Sequence, residues 1–218
     1  MYQIVLASGS PRRREILNQV GISHTVLVSR AEEVKREGET PEELVKRLSR
    51  EKASEVAGRV AGPAVIIGAD TVVVQDGMVL GKPGTPERAK EMLTRLAGNI
   101  HSVYTGVCAV IQNEDGTKEE ISFAERSEVE VYPMTESQIQ EYAQCGEPLD
   151  KAGAYAIQGR FAVYIHRIDG NYDNIVGLPV SQLYQRVYEA GIDLYTGRML
   201  SDRLNGYAYR KKDHIFVK

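Results

Sequence analysis

The run Ala64-Val65-Ile66-Ile67-Gly68-Ala69 constrains the fold more than any other part of the chain. It lacks polar alternation, so a strand built from it belongs at the centre of a sheet covered on both faces. Helices must therefore pack on each side, which is the layering of an α/β domain. Asp70-Thr71 ends the run. An acid at the carboxyl end of a buried strand stands where open α/β sheets bind ligands. Carboxylates are seldom buried unless paired or bound to metal. Capping of a turn is the other reading of Asp70. The small residues Gly68 and Ala69 favour a ligand approaching the backbone.

A second site signal opens the chain. Residues 4–6 read as a strand, Ser8-Gly9-Ser10 as a loop, and Pro11-Arg12-Arg13-Arg14-Glu15-Ile16-Leu17 as a helix start. The first helical N–H groups lack intrahelical partners, and the helix dipole favours an anion there. Two guanidiniums beside that point offer fork-shaped donors to phosphate oxygens. The alternative is a plain helix start, with Ser10 as N-cap, Pro11 in the first turn and solvated arginines. No G-x-x-x-x-G-K-[ST] and no dinucleotide fingerprint occurs.

The remaining elements follow from periodicity and punctuation. Residues 25–28 read as a strand and 31–40 as an acidic loop. Thr40-Pro41-Glu42-Glu43 opens a helix with a capping box, and Leu44, Val45, Leu48, Ala53 and Val56 share its buried face. Residues 72–74 continue extended, and Asp76-Gly77 turns them into 78–80. Thr85-Pro86 caps a helix to about Leu96. Residues 101–112 and 121–132 form a long antiparallel hairpin. Thr135-x-x-Gln138 opens a helix to Gln144, residues 161–165 read as a strand, and a last helix runs from Leu178-Pro179 to near Gly191. The tail from Thr196 reads as a basic surface extension.

Composition narrows the function classes. The chain has 218 residues, 42% hydrophobic and 26% charged, enough for one large domain or two lobes. A net charge of -3 argues against nucleic-acid binding through bulk charge. Cys108 and Cys145 are far apart, and the four histidines show no metal-ligand spacing, so neither a disulfide framework nor a zinc site is expected. Cys108 reads as buried packing and Cys145 as a helix-end residue. The N-terminus enters a strand at once and no apolar stretch is long enough to span a membrane, so a soluble cytoplasmic protein is expected.

Further candidates are weaker one by one. Lys82 lies between Gly81 and Pro83 on a constrained loop and can offer a point charge to phosphate. Lys52, late in the second helix, reads as surface when taken alone. Glu32-Glu33 can supply a metal carboxylate or can be solvated charge. Residues 147–159 mix charges, small residues and an amide without amphipathic period, as binding loops and turn-rich connectors both do. Gln158 there carries a donor and an acceptor suited to a base edge.

Taken in order, Ala7-Ser8-Gly9-Ser10-Pro11-Arg12-Arg13-Arg14-Glu15-Ile16-Leu17, Glu51-Lys52-Ala53, Gly68-Ala69-Asp70-Thr71-Val72-Val73, Leu80-Gly81-Lys82-Pro83, Glu147-Pro148-Leu149-Asp150-Lys151-Ala152-Gly153-Ala154-Tyr155, Ile157-Gln158-Gly159 and Val176-Gly177-Leu178-Pro179 resemble the Maf family of nucleoside triphosphate pyrophosphatases. The resemblance covers the chain to about Gly191. Ile16 stands where Leu is usual, Ala156 where Gly is frequent, and a tail follows Gly191.

The resemblance implies a two-lobed α/β fold, a mixed sheet with flanking helices and a deep central cleft, as in inosine-triphosphate pyrophosphatases. It implies one domain over 1–218 with an extension over 192–218. It implies cleavage between the α and β phosphates, and the Asp150-Lys151-Ala152-Gly153 and Ile157-Gln158-Gly159 segments look like the branch acting on dTTP and UTP. Arg12, Thr71 and Gln158 fall on its selectivity positions, and Asp70 on its proton acceptor. Ser8, Ser10, Arg12, Arg13, Lys52 and Lys82 are expected to cradle the triphosphate. Glu33 and Asp70 are expected to hold Mg²⁺ or Mn²⁺, with Glu32 able to replace Glu33. A homodimer is compatible with the family, and no stable nucleic-acid partner is expected. The alternatives are a 7-methyl-GTP pyrophosphatase of the same family, a septum-formation regulator acting by protein interaction, and a nucleic-acid modifier using the arginines and basic tail.

Overall fold

A computed structural model describes residues 1–34 and 36–200. Strand β1 (Gln3–Leu6) leads to helix α1 (Pro11–Gln19), then β2 (Thr25–Val26), α2 (Pro41–Ala57), β3 (Ala64–Gln75) and β4 (Met78–Leu80). Helix α3 (Pro86–Leu96), β5 (Ile100–Gln112), β6 (Lys118–Val131) and α4 (Glu136–Gln144) follow. The chain continues through β7 (Ile165–Asp169), α5 (Tyr172–Val176), α6 (Val180–Glu189), β8 (Ile192–Asp193) and β9 (Arg198–Met199). The main sheet runs β2-β1-β3-β5-β6-β7, with β4 also pairing β3. Strands β1, β2 and β3 are parallel, and the pairings of β3 with β4 and β5 are antiparallel. The mixed sheet with flanking helices agrees with the fold expected from the sequence.

The apolar run from Ala64 is indeed central, buried between strands on both sides and helices on both faces. Alternation then sorts its residues. Val65, Ile67, Ala69 and Val73 face the larger core, with Ala89, Leu93 and Leu96 of α3, Ile139 and Ala143 of α4, and Leu183 and Val187 of α6. Ile66 packs with Ala53, Val56 and Ala57 of α2, and Val72 and Val74 pack with Leu44, Val45 and Leu48 of the same helix. Both capping boxes read from the sequence form, Thr40 with Glu43 and Thr135 with Gln138. Asp76 and Gly77 both take positive φ, as the tight hairpin requires.

Helix α2 lies unusually close to the sheet. A Cβ on Gly68 would sit 2.2 Å from the Ser49 carbonyl oxygen, and one on Gly106 would sit 2.2 Å from that of Val45. Gly106 pairs with Asp70 across β3 and β5. Gly68 is thus small to admit a helix backbone, which corrects the expectation that it clears the way for a ligand.

Three local expectations change. Residues 161–165 are not a strand: Arg160–Tyr164 form a 3₁₀ turn and β7 begins at Ile165. The Glu147 carboxylate accepts from the Arg160 N–H, and Phe161 enters the core beside Tyr142 and Tyr155, so the run winds instead of extending. Helix α5 and the β8–β9 pair lacked any periodic signal. Residues 192–200 of the expected extension fold back, with the Tyr2 N–H donating to the Gly197 carbonyl at 2.6 Å. Residues 201–218 lie outside the described residues. Cys108 is buried and Cys145 is the C-cap of α4, as read. No helix among the described residues is long and apolar enough to cross a membrane.

Gly68→Ala forces a methyl group into the α2 backbone and lowers stability by at least about 1–3 kcal/mol, the usual cost of overpacking. Gly81→Ala, which meets nothing within 4 Å, changes it by less than about 0.5 kcal/mol; urea unfolding of both variants checks the contrast. His101 at the start of β5 is 2% exposed, and burial pushes its imidazole from 6.5 down to about 4. The unfolded chain takes up that proton near pH 6.5 and the native chain refuses it, so this contribution is complete above pH 6.5. It declines by up to about 3 kcal/mol as pH falls to 4. The pH dependence of the urea midpoint flattens over that window in His101→Gln.

Candidate active site

The cleft begins as a gap in the sheet. Strand β1 pairs β3 only through Leu6↔Ile67, and β4 pairs it only from Leu80↔Val73. The Ala7 N–H still donates to the Ile67 carbonyl, and then the chain turns away into the loop before α1. Residues 68–72 of β3 therefore have a strand on one edge, β5, and a cleft of about 400 Å³ opens at that point.

Asp70 lies in the gap and turns toward α2. The Lys52 Nζ donates to its Oδ1 at 2.6 Å and lies 2.6 Å from the Glu33 Oε1. The Lys52 and Asp70 side chains are each 10% exposed, against 57% for Glu33. Lys52 is thus no surface residue. The buried stripe of α2 that includes Ser49, Ala53 and Val56 includes it too, and only the sheet beneath shows what its amine meets. Partial burial raises the Glu33 carboxyl, but the hydrogen bond and charge of Lys52, with the charges of Lys82 and Arg13, outweigh it and hold it below its usual range. Of the two neighbouring glutamates, Glu33 lines the cleft.

Thr71 points to the opposite face, as strand alternation requires. Its hydroxyl accepts from Arg13 Nη2 at 3.1 Å and lies 2.9 Å from the Thr105 hydroxyl, which donates to the Asn174 carbonyl. Arg13 also donates from Nε to the Gly177 carbonyl at 2.8 Å and from Nη1 to the Ser8 hydroxyl at 3.0 Å. Burial draws this guanidinium below its usual value, opposed by the charges of Asp70 and Glu33. Arg13 therefore ties the α1 loop, β3 and the α5–α6 joint together. Arg12, half-buried, and Lys82, exposed, both line the cleft. Among the described residues neither has an ion-pair partner. Ser10 takes the N-cap position of α1 but its side chain caps nothing, so the loop hydroxyl is not consumed by the helix start.

The far wall is residues 147–159. The Gly153 N–H donates to the Gly81 carbonyl and the Gly84 N–H to the Leu149 carbonyl, joining this segment to the Lys82 loop. Tyr142 Oη donates to Glu147 at 2.6 Å and accepts from the Ala156 N–H at 3.2 Å. A Cβ on Gly159 would meet the Glu147 carboxylate at 2.4 Å. Val103, Tyr155, Ile157, Ile175 and Val176 make an apolar side to the cleft. The structure brings Ser8, Ser10, Arg12, Arg13, Glu33, Lys52, Asp70, Thr71 and Lys82 to one cleft. Gln158 is exposed and stands outside its lining, one residue past Ile157. Lys151 and Asp150 line the cleft although no residue-level signal had singled them out.

No group of three or more acidic, His or Cys side chains suited to a metal occurs among the described residues. Glu33 and Asp70, meeting at one amine, still fit a hard cation that takes most of its ligands from phosphate and water.

Residues 3–190 match the model of the Maf-like protein family. The chain is 53% identical over 194 residues to a protein of Lachnoclostridium phytofermentans named dTTP/UTP pyrophosphatase, covering 89% of this chain and 98% of that one. It is 45% identical over 206 residues to a protein of Agathobacter rectalis of the same name, covering 89% and 100%. A solved structure of a dITP/XTP pyrophosphatase from Mycobacterium abscessus overlaps 61% of this chain and 75% of its own, at 16% identity and a TM-score of 0.36.

Arg13→Lys keeps the charge but loses the three-way fork. It lowers stability by about 2 kcal/mol, the scale of lost hydrogen bonds to a charged group. Arg12→Lys changes it by less than about 0.5 kcal/mol; thermal unfolding of the two variants separates the roles.

Proposed function

The chain belongs to the Maf family, and we propose that it hydrolyses dTTP and UTP to the nucleoside monophosphate and pyrophosphate. The observation that carries this reading is the Glu33–Lys52–Asp70 cluster at the floor of a cleft rich in cations. Arg12, Arg13, Lys52, Lys82 and Lys151 line that cleft against the carboxylates Glu33, Asp70 and Asp150. An excess of positive charge suits a polyphosphate partly neutralised by a divalent ion. The names of the relatives support the choice of substrate. The apolar side suits a base and sugar, and Gln158 at its edge offers both donor and acceptor to the imide face of a pyrimidine.

Asp70 takes the proton of the attacking water. The water oxygen forms the new bond to the α phosphorus, the bond to the bridging oxygen breaks, and that electron pair leaves with pyrophosphate. Lys52 holds the Asp70 carboxylate in place through its 2.6 Å hydrogen bond. Ser8, Ser10, Arg12 and Lys82 bind phosphate oxygens, while Arg13 holds Ser8, Thr71 and the Gly177 carbonyl in place with one N–H group each. Glu33 and Asp70 would hold Mg²⁺ or Mn²⁺, which when bound supplies charge neutralisation on the phosphate oxygens. The reading is of a cytoplasmic enzyme, acting where nucleoside triphosphates are made and consumed.

Pyrophosphate release is measured from dTTP, UTP, 5-methyl-UTP, pseudo-UTP and 7-methyl-GTP with Mg²⁺ or Mn²⁺. The pyrimidine nucleotides are cleaved, and Asp70→Asn lowers kcat by about 10²-fold or more while nucleotide binding survives. Near-native turnover in Asp70→Asn removes Asp70 from the proton step. Release from 7-methyl-GTP alone keeps the family and overturns the pyrimidine assignment.

A further inference from the structure

We propose that Lys151 contacts the substrate and, with Lys82, binds the pyrophosphate that leaves, an inference resting on the triphosphate reading above. Lys151 lines the cleft, and its side chain is only 17% exposed. Its partner is the adjacent Asp150, whose side chain is 75% exposed. The Lys151 hydrogen bond, with the charges of Lys151 and Arg12, holds the Asp150 carboxyl below its usual range despite some burial. Arg12 and Lys151 therefore feel the same carboxylate from opposite walls. An ion pair to a largely solvated carboxylate is weak, whereas a phosphate bridging several fixed cations makes charge-assisted bonds. Substrate thus draws Lys151 away from Asp150 at little cost.

The loops decide which phosphates it meets. Backbone bonds from Gly153 to Gly81 and from Gly84 to Leu149 join the Lys151 and Lys82 segments, so both amines are carried into the same cleft by linked loops. Lys52 and Arg13 are buried at the floor, whereas Lys82 is exposed at the mouth. The nucleoside has the apolar side. The group that departs through the mouth is the pyrophosphate, whose charge rises as the bond breaks, and Lys82 at the mouth, with Lys151 on the segment joined to its loop, is placed to take it.

Product inhibition of dTTP hydrolysis tests this. Lys151→Met weakens inhibition by pyrophosphate roughly tenfold or more, the scale of one lost charge-assisted contact, and leaves inhibition by thymidine monophosphate unchanged. Lys151→Arg retains most of the pyrophosphate effect, and Asp150→Asn does not weaken it. Unchanged pyrophosphate inhibition in Lys151→Met overturns the proposal, as does equal weakening by both products, which marks a collapsed loop. Calorimetric binding of pyrophosphate to the full chain runs in parallel. If the wild type cleaves neither dTTP nor UTP yet loses pyrophosphate binding on Lys151→Met, the substrate reading falls and the subsite stands; if binding is unaffected, the subsite falls.

Discussion

The site depends on how closely helix α2 approaches the sheet. Gly68 and Gly106 leave no side chain between the strands and the helix backbone, and Asp70 pairs with Gly106 on the face that α2 covers. That proximity is what lets the Lys52 amine reach Asp70 at 2.6 Å. A buried carboxylate without a partner would lose its charge to burial. A buried lysine without one would do the same. Each makes the other tolerable, and Glu33 shares the amine from the solvent side.

The cleft exists because two short strands stop. Strand β1 leaves β3 after Ile67 and β4 joins it at Val73. The unpaired edge between them would be a liability if left bare, because it presents open hydrogen-bonding groups. Loops flank it on both sides instead, one carrying the serines and arginines, and opposite it the Lys82 loop joined to the segment that carries Lys151. Strand alternation then divides the labour at the floor. Asp70 turns to α2 and the charge cluster, and Thr71 turns to Arg13 and the buried polar chain through Thr105 and Asn174.

Rigidity is distributed unevenly around this cleft. Arg13 spends three donors on protein acceptors and is 9% exposed. Glu147 and Tyr142 pin the far wall in a similar way, with Gly159 leaving room for the carboxylate. Arg12 and Lys82 are left for the ligand. Preorganised supports beneath adaptable cations are what a site needs when its substrate is mostly charge.

Much of this was determined by sequence alone. The apolar run from Ala64 required a covered central strand, the capping boxes at Thr40 and Thr135 set helix starts, and the ordered motifs carried the family. Local signals suffice there because period, caps and turns act over a few residues. They failed at 161–165, where a distant Glu147 carboxylate and a core slot for Phe161 outweighed strand propensity. They failed for Lys52 and for Gly68 for one shared reason: a helix position is exposed or buried, and a glycine is needed or idle, only relative to what packs against it. Arg13, read as a phosphate ligand, lines the cleft, and the structure adds that it also holds two protein hydroxyls and a carbonyl. Residue types announced the chemistry of the cleft, but the close packing of α2 on β3 and β5 decided which charges meet, because distance between chain-remote groups is set by tertiary packing and is absent from any local pattern.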